Sequence, residues 1–456
     1  MIVSFSVSNF RSFLAEETIS LVASKRLSGS HDDHTGPIPD SDDRVLRTAV
    51  LYGANGAGKS NLFKAIRYLR SVALGPRAKN TGTGRERFQL AGSKDDLSSF
   101  DLQFVAAGRL YRYGFKADDE RIAEEWLYHV TGNRQKPLYE RSTDVSGKVT
   151  IDAKGLRAAG EKLTALATVG GPRNQSFLAT ISATLDASDV GEELGHLLSW
   201  FMRGLTLVSP DEALGPLALV VDQDPAFRSF ASGFLKSSST GIDHLVATRK
   251  EISQDEFHKL LPSEFLPFLR ADIRTERPEM EIVRLTDGKE ILVDHQGGRV
   301  YHISVQATHE QEPGKEVQLE LTEESDGTRR LLNLIPALHP TAFTGVVHVI
   351  DEIDRSLHPI LVREFLEFFL KSSKGDFRQV IVTTHESNLL DQDLLRRDEI
   401  WFAEKDSTGA TRLYSLLDFK VRNDLEIRKH YLQGRFGAIP FLGNLESLLA
   451  TPDRHE

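Results

Sequence analysis

The sequence predicts an α/β fold with a parallel, doubly wound sheet, an antiparallel β subdomain and an inserted, mainly helical region. Three patterns support this prediction. Segments with strand and helix patterns alternate over residues 327–416, as they do in parallel sheets covered by helices. An apolar segment, 45–52, runs directly into the glycine-rich loop 53–60. Two β-rich runs flank Ala107-Gly108, which indicates an antiparallel hairpin.

The other elements follow from local patterns along the chain. Alternating apolar residues over 2–10 predict a half-buried strand, and the polar segment 28–43 predicts a flexible loop. Residues 158–203 and 226–269 have a mainly helical pattern without sustained heptads, which disfavours a long coiled coil. Further strands are predicted at 281–293 and 316–321.

The motifs that carry chemistry lie at both ends of the chain, so we expect these ends to fold together around the middle. The N-terminal part, 1–155, contains the glycine-rich loop and the antiparallel β subdomain. The insertion, 156–280, is expected to be mainly helical. The C-terminal part, 281–456, contains the remaining motifs.

The composition excludes several classes of protein. The chain of 456 residues has no cysteine, which excludes disulfides, thiolate catalysis, zinc ribbons and iron–sulfur clusters. A formal net charge of −10 argues against nucleic-acid binding through bulk charge, although a local basic groove is still compatible with it. There is no apolar run near the ~20 residues of a membrane span and no signal-peptide pattern. We therefore expect a cytoplasmic protein without a membrane partner.

The strongest local motif is GANGAGKS, which fits G-x-x-x-x-G-K-[ST] between a strand and a helix. Its glycines let backbone N–H groups face a phosphate, and the helix N-terminus adds a positive dipole end. Lys59 is expected to reach the β- and γ-phosphates, and Ser60 to bind Mg²⁺. The predicted nucleotide-binding residues of this segment are Gly53, Asn55, Gly56, Gly58, Lys59, Ser60 and Asn61.

Two carboxylates follow the apolar strand 346–350. Asp351 is expected to hold Mg²⁺, and Glu352 to act as the general base on the attacking water. A second apolar run also ends in acids, Asp222 and Asp224, which we interpret as a strand-end turn. Only Asp351 and Glu352 are accompanied by the sequences Ser-Asp-Gly-Thr and Thr-Thr-His. We therefore assign the chemical role to this pair and not to Asp222 and Asp224.

These two accompanying sequences are each suited to a phosphate. The segment Ser325–Thr328 opens a predicted helix and combines a hydroxyl with N–H groups, which favours an anion. Taken alone, it is an ordinary helix cap. His385 ends the apolar strand 380–384, and an imidazole there can hydrogen-bond a γ-phosphate.

In this order, the motifs resemble the ABC-type ATPase heads related to RecF, SMC and OLD-family proteins. The chain resembles most closely the bacterial ATPases grouped as AAA_15/AAA_21, on the segments NFRSF (9–13), YGANGAGKSN (52–61), ESDGTRRL (324–331), DEIDRSLHP (351–359), TTHESNLL (383–390) and YLQGRFGAIP (431–440). The resemblance covers both ends of the chain but little of residues 130–280. It implies an ABC-type P-loop NTPase head with a mixed or parallel sheet.

The resemblance also implies roles by position. Residues 53–60 would be Walker A, and Asp351 and Glu352 would be Walker B and the catalytic glutamate. A degenerate signature would place Ser325 and Gly327 at a nucleotide. The D-loop and the switch would contribute Asp354 and a catalytic His385. ATP and Mg²⁺ are the implied cofactors.

The chain departs from the family pattern at three places. The transporter signature LSGGQ is absent, which disfavours a transporter subunit. Gln89 and Gln103 are candidates for the Q-loop glutamine. Asn9 and Arg11 either approach the nucleotide or are polar residues at the end of a strand.

In such heads, the signature of one subunit caps the γ-phosphate held by the other, which implies a homodimer or higher homo-oligomer. The expected function is Mg-dependent ATP hydrolysis coupled to DNA or to a separately encoded effector, a nuclease or RloB-like protein, in bacterial antiphage defence. Two alternatives are a nucleotide-gated scaffold that sequesters a toxin or effector with slow turnover, and a RecF-like DNA repair ATPase. Some OLD-like relatives end in a Toprim nuclease domain. Residues 386–456 are too few for one, so we predict no nuclease in this chain.

A last motif, His31-Asp32-Asp33-His34, has residue types that bind metals. A solvated loop is the favoured interpretation of this segment.

Overall fold

The computed structural model describes residues 1–78, 81–92, 96–212, 216–260, 280–285, 290–294, 296–339, 347–372, 378–420 and 426–440. Contacts divide the chain into two compact units. The first unit comprises Met1–Leu207, Val346–Ile353 and Gly375–Glu456, and the second comprises Val208–Gly345 and Asp354–Lys374. The domain boundaries predicted after residues 155 and 280 stay predictions.

Both units contain strands and helices. The strands are β1 (Ile2–Ser8), β2 (Glu17–Ser20), β3 (Thr35–Pro37), β4 (Arg44–Leu46), β5 (Thr48–Tyr52), β6 (Ser98–Ala106), β7 (Arg109–Ala117), β8 (Ile122–Thr131), β9 (Arg134–Thr143), β10 (Val149–Asp152), β11 (Leu205–Val208), β12 (His244–Ile252), β13 (Met280–Arg284), β14 (Glu290–Asp294), β15 (Arg299–Glu312), β16 (Lys315–Glu320), β17 (Val347–Ile350), β18 (Gln379–Thr383), β19 (Ile400–Lys405) and β20 (Thr411–Ser415). The α-helices are α1 (Lys59–Leu74), α2 (Glu161–Val169), α3 (Phe177–Thr184), α4 (Ala187–Val190), α5 (Glu192–Ser199), α6 (Leu217–Gln223), α7 (Pro225–Ser237), α8 (Gln254–Leu260), α9 (Asp326–Leu334), α10 (Pro359–Ser372) and α11 (Ile427–Leu432). No helix in the described part of the chain is both long and apolar enough to cross a membrane.

An antiparallel sheet of the first unit has the order β10-β9-β8-β7-β6-β1-β2 among the described residues. Along β6, buried and half-buried residues alternate strictly, as the pleat of a strand with one face in the core requires. Ala107 and Gly108 join β6 to β7 with φ values of 46° and 72°. Positive φ at both central residues is typical of a type I′ hairpin turn, so the predicted hairpin is confirmed.

The other large sheet of the first unit joins both ends of the chain. Its order over the described residues is β11-β17-β18-β5-β19-β20. The strands β17, β18, β5 and β19 are parallel, and β20 pairs antiparallel with β19. Every residue of β5 and β18 is buried, as expected of parallel strands covered on both faces. The predicted α/β class with a mixed, largely parallel sheet is confirmed.

One buried side chain ties the two ends of the chain together. Gln379 begins β18 and has no exposed surface. Its Oε1 accepts from the N–H of Ile2 at 2.7 Å, and its Nε2 donates to the carbonyls of Ile2 at 2.9 Å and Leu46 at 2.8 Å. The amide thereby satisfies buried backbone groups of β1 and β4, which would otherwise be costly to bury.

The second unit contains an antiparallel sheet with the order β12-β15-β14-β13 and with β16 paired to β15. Residues 226–269 were expected to be mainly helical. Pro225–Ser237 and Gln254–Leu260 are helices, but His244–Ile252 forms β12, which pairs with β15. This strand lies at the sheet edge and buries only Leu245, so its apolar periodicity is weak. Residues 261–269 lie outside the described residues.

The apolar run before Asp222 is a helix and not a strand. It forms α6, and Asp222 is paired with Arg249. Asp224 caps the next helix, because its Oδ1 accepts from the N–H groups of Ala226 at 2.9 Å and Phe227 at 3.0 Å. The Asp-Pro start of α7 is a helix signal, and a short apolar run before it cannot be assigned by periodicity alone.

The prediction of a flexible loop at 28–43 is also wrong, because this segment includes a short strand and a hydrogen bond to a distant part of the chain. Its residues Thr35–Pro37 pair with β4, and the Nη1 of Arg396 donates to the carbonyl of Ser30 at 2.6 Å. The second of these contacts joins positions more than 300 residues apart. A local composition rich in Asp, Ser and Pro cannot reveal it.

Candidate functional site

The glycine-rich loop joins β5 to α1, which begins at Lys59. Lys59 is 5% exposed, and its Nζ donates to the carbonyls of Gly53 at 2.8 Å and Ala54 at 3.2 Å. Asn55 and Gly56 are exposed at the loop tip. The side chain of Lys59 is therefore held under the loop, at the helix N-terminus that would face a phosphate.

The acidic end of β17 lies beside this loop. Asp351 is 4% exposed, and its Oδ1 accepts from Ser60 Oγ at 3.2 Å. It also accepts from Thr383 Oγ1 at 2.6 Å. Two oxygen ligands bound to one Mg²⁺ at about 2.0–2.1 Å lie about 3 Å apart. The hydroxyl of Ser60 and the carboxylate of Asp351 therefore fit the predicted Mg²⁺ site.

Thr383 positions both carboxylate residues. Its Oγ1 donates to Asp351 and accepts from the N–H of Glu352 at 2.8 Å. The N–H of Ile353 donates to its carbonyl at 3.1 Å. Glu352 has a φ of 48°, so the chain turns sharply at the residue predicted to be the general base. Sequence reasoning treated Thr383 only as part of a motif and missed this role.

His385 reaches the same place from the end of the neighbouring strand β18. Its Nε2 lies 2.9 Å from Lys59 Nζ. The contact places the imidazole and the ammonium at one point of the loop, where the γ-phosphate is expected. The catalytic and binding roles of the individual residues stay predictions.

The predicted signature and D-loop residues lie in the second unit. Ser325 caps α9, and its Oγ accepts from the N–H of Thr328 at 3.1 Å. A Cβ atom at Gly327 would lie 2.7 Å from the carbonyl oxygen of Ser356, so only glycine permits this close approach. The carbonyl of Asp354 accepts from the N–H of Leu357 at 3.1 Å. The start of α9 and the D-loop are therefore packed against each other.

A hydroxyl cluster behind the glycine-rich loop was missed in the sequence. The Nδ2 of Asn61 donates to Ser12 Oγ at 2.7 Å. Thr411 Oγ1 donates to the carbonyl of Ala57 at 2.8 Å and lies 2.7 Å from Ser12 Oγ, whose hydroxyl can donate to it. Ser12 lies within the NFRSF segment, so this motif could have pointed to its role. Thr411 is remote in sequence from the other residues of the cluster, and no motif pointed to it. The nucleotide-binding role of Asn61 stays a prediction.

The other weak candidates have hydrogen-bond or ion-pair partners in the chain. The amide of Asn9 donates to the carbonyl of Asp96 at 2.9 Å, and Arg11 pairs with Glu86. Gln89 donates to the carbonyl of Arg87 at 3.2 Å. These contacts favour structural roles for Asn9 and Arg11. The Q-loop residue is still not assigned.

The chain after His385 contains one Asp-x-Asp sequence, Asp391-Gln392-Asp393, and an Asp-x-Asp at a strand end is the pattern by which a Toprim nuclease domain would bind Mg²⁺. Asp391-Gln392-Asp393 forms a turn, because Asp391 Oδ1 accepts from the N–H of Asp393 at 2.9 Å. The carbonyl of Asp391 accepts from the N–H groups of Leu394 and Leu395. This triplet therefore does not end a strand, as the metal-binding acids of a Toprim domain would.

Burial lowers the pKa of His348, in β17, to about 4, and the positive charge of Arg378 adds to the shift. An unfolded chain binds this proton near pH 6.5, whereas the folded chain resists it until about pH 4. Burying the neutral His348 therefore costs no free energy of unfolding above about pH 6.5, and the free energy of unfolding falls as the pH falls from 6.5 towards 4. We expect His348 to account for about 2 kcal/mol of lost unfolding free energy between pH 7.5 and pH 5.

Denaturant unfolding of the wild type and a His348→Leu variant at these two pH values measures this difference. The variant should lose less stability on acidification, and a His196→Leu control, which changes an exposed histidine, should behave as the wild type. Equal acid sensitivity in all three proteins would contradict the assignment.

Some solved structures are similar to this chain. An SMC head domain from Thermotoga maritima is similar at 14% identity, with 91% of this chain and 98% of that chain covered and a TM-score of 0.37. An SMC head bound to the C-winged helix domain of ScpA gives 14% identity, coverage of 91% and 97%, and the same TM-score of 0.37. These TM-scores are too low to carry an argument about function. A comparison with curated proteins finds no match.

A family model does match most of the chain. It is described as "AAA domain, putative AbiEii toxin, Type IV TA system", and it spans residues 49–391. This range begins within β5 and includes the glycine-rich loop, Asp351 and His385. The protein therefore belongs to the AAA_21 family.

Proposed function

We propose that this protein binds ATP, hydrolyses it with Mg²⁺, and acts as a head-to-tail homodimer that couples the cycle to DNA or to a separate effector protein. One observation supports the hydrolytic part most directly. Lys59, Ser60 and Asp351 lie at the carboxyl ends of the parallel strands β5 and β17. The strand between them, β18, carries Thr383, which contacts Asp351, and leads to His385, which contacts Lys59. In open parallel sheets, ligands bind at this edge.

The glycine-rich loop would bind the phosphates through its N–H groups, and Lys59 would place a positive charge at the β- and γ-phosphates. Ser60 and Asp351 would hold Mg²⁺, which supplies charge neutralisation on the phosphate oxygens. Because Asp351 is buried and already accepts two hydrogen bonds, its carboxylate is fixed in orientation before any ligand binds.

Glu352 would accept the proton of the attacking water. The water oxygen then bonds to the γ-phosphorus as the bond from that phosphorus to the bridging oxygen breaks, which yields ADP and phosphate. His385 would donate a hydrogen bond to the γ-phosphate from its place beside Lys59. The backbone of Glu352, held by Thr383, would aim its carboxylate at that water.

The signature residues would serve the nucleotide of the other subunit. Ser325 and Gly327 lie at the start of α9, where N–H groups point out of the helix. Asp354 lies in the loop that packs on this helix start. We propose that this surface of one copy closes on the loop 53–60 of a second copy, so that ATP joins the two and hydrolysis separates them.

The description of the family names a toxin and a toxin–antitoxin system, which supports a role in bacterial defence. We propose a cytoplasmic antiphage ATPase whose effector is encoded separately. A nuclease or RloB-like protein would suit that role.

The activity is tested with the purified chain, ATP and Mg²⁺. Lys59→Ala should weaken ATP binding and abolish measurable phosphate release, because the ammonium beside the β- and γ-phosphates is lost. Lys64→Ala is the matched control, since it removes an exposed lysine of the same helix. Binding is measured with a fluorescent ATP analogue and turnover by phosphate release. Unchanged binding and turnover in Lys59→Ala would overturn the proposal.

A further inference from the structure

A histidine pair in the first unit has no part in the proposed nucleotide chemistry. His34 is 6% exposed, and its Nδ1 lies 3.1 Å and 3.2 Å from the two carboxylate oxygens of Glu399, a residue with no exposed surface. A carboxylate accepts, so Nδ1 carries the proton. The neutral ring then has its lone pair on Nε2.

His31 is fixed in the complementary way. Its Nε2 lies 2.8 Å from the carbonyl oxygen of Gln392. A carbonyl also accepts, so Nε2 carries the proton and the lone pair is on Nδ1. Histidines that bind metals in proteins nearly always donate their other ring N–H to a carboxylate or a backbone carbonyl. Each of these two histidines has one such partner.

We propose that His31, Asp33 and His34 form a binding site for a divalent transition metal of the Zn²⁺ type. One donor atom from each of the three residues lies within 4.8 Å of the other two. Donors bound to one tetrahedral Zn²⁺ at about 2.0–2.1 Å lie about 3.4 Å apart. The donors must therefore approach by up to about 1.4 Å, which rotation of the exposed Asp33 and a tilt of the half-buried His31 ring about its hydrogen bond to Gln392 supply.

The backbone that carries these donors is already held in place. The guanidinium of Arg396 donates to the carbonyls of Ser30 at 2.6 Å and Leu27 at 3.3 Å. Arg47 donates to the carbonyl of Asp33 at 2.9 Å. The rings of His31 and His34 stack with centroids 4.7 Å apart. Only side-chain rotation is needed to bind the ion, so little conformational entropy is lost.

The surroundings favour a cation at this place. The carboxylate of Glu399, which accepts from His34 Nδ1, is fully buried beside the proposed site. A positive ion on Nε2 of His34 would strengthen the hydrogen bond from its Nδ1 to this buried carboxylate. Two imidazoles and one carboxylate favour Zn²⁺ over Mg²⁺, which prefers oxygen ligands. Water would complete the coordination.

The test uses the full-length chain without a histidine tag, freed of metals with a chelator that is then removed. Co²⁺ is titrated in millimolar Mg²⁺, so that the site of Ser60 and Asp351 does not take the probe, and tetrahedral binding is read from visible absorbance. Zn²⁺ affinity is measured by competition with a chromophoric chelator. We expect one equivalent bound, and a rise in melting temperature on adding Zn²⁺ because the ion binds only the folded chain.

His31→Ala and Asp33→Asn should lower Zn²⁺ affinity about tenfold to a hundredfold or more and remove the rise in melting temperature. His196→Ala, which changes an exposed histidine elsewhere, should match the wild type. His34→Ala is a poorer variant, because it removes a hydrogen bond to the buried carboxylate of Glu399 and leaves only the one from the N–H of Arg396 at 2.7 Å among those described here. Absence of Zn²⁺ binding, or equal binding in the wild type, His31→Ala and Asp33→Asn, would overturn the proposal.

Discussion

A Glu352→Gln variant is expected to bind ATP as the wild type does and to hydrolyse it about 10²- to 10⁴-fold more slowly. The amide keeps the shape of the side chain but cannot accept the proton of the attacking water. Asp351 keeps its contacts with Ser60 and Thr383, so the expected Mg²⁺ ligands are unchanged. Phosphate release and binding of a fluorescent ATP analogue measure the two properties separately.

The assembly state of this variant gives a second measurement. If hydrolysis separates the two copies, Glu352→Gln should accumulate as an ATP-dependent dimer, visible by light scattering after size-exclusion chromatography. Glu124→Gln, at an exposed acid of β8, is the matched control and should remain active. Turnover that persists in Glu352→Gln would show that this residue is not the base. Retained partner binding with slow turnover in the wild type would favour a nucleotide-gated scaffold.

Gly58→Ala is expected to abolish ATP binding and to lower the free energy of unfolding by roughly 2–5 kcal/mol. Gly58 has a φ of 109°, and a Cβ atom there would lie 2.1 Å from Thr411 Oγ1 and 2.8 Å from Ser12 Oγ. Thr411 cannot turn away without losing its hydrogen bonds to Ser12 and the carbonyl of Ala57. The loop must therefore shift, and with it the N–H groups that would bind phosphate.

Gly56→Ala separates the cost of a positive φ from the cost of the steric clash, which act together in Gly58→Ala. Gly56 also has a positive φ, 77°, but a Cβ atom there would meet nothing within 4 Å. We expect this control to lose only about 1 kcal/mol of stability and to retain ATP binding. Denaturant unfolding and nucleotide binding are measured on both variants. Equal behaviour of the two variants would contradict the steric argument.

The local motifs were predictable because short patterns encode them. A glycine-rich loop between an apolar strand and a helix has few other structures available, and the strand predicted at 380–384 is observed one residue earlier as β18. The prediction of secondary structure failed where the apolar pattern was short or where the strand lay at the edge of a sheet. The strand β12 has little apolar alternation, and the apolar run of α6 is too short to distinguish a helix from a strand.

The type of chemistry is predictable from local motifs, because Lys59, Ser60 and Asp351 each lie in a short pattern with a characteristic local geometry. The residues that support these side chains are visible only in the folded chain. Thr383 links Asp351 to Glu352, and Ser12 and Thr411 support the loop from positions 399 residues apart. The pairing of His34 with Glu399 likewise depends on contact across 365 residues. Such contacts depend on which strands become neighbours in a sheet, and strand order is not encoded in any short stretch of sequence.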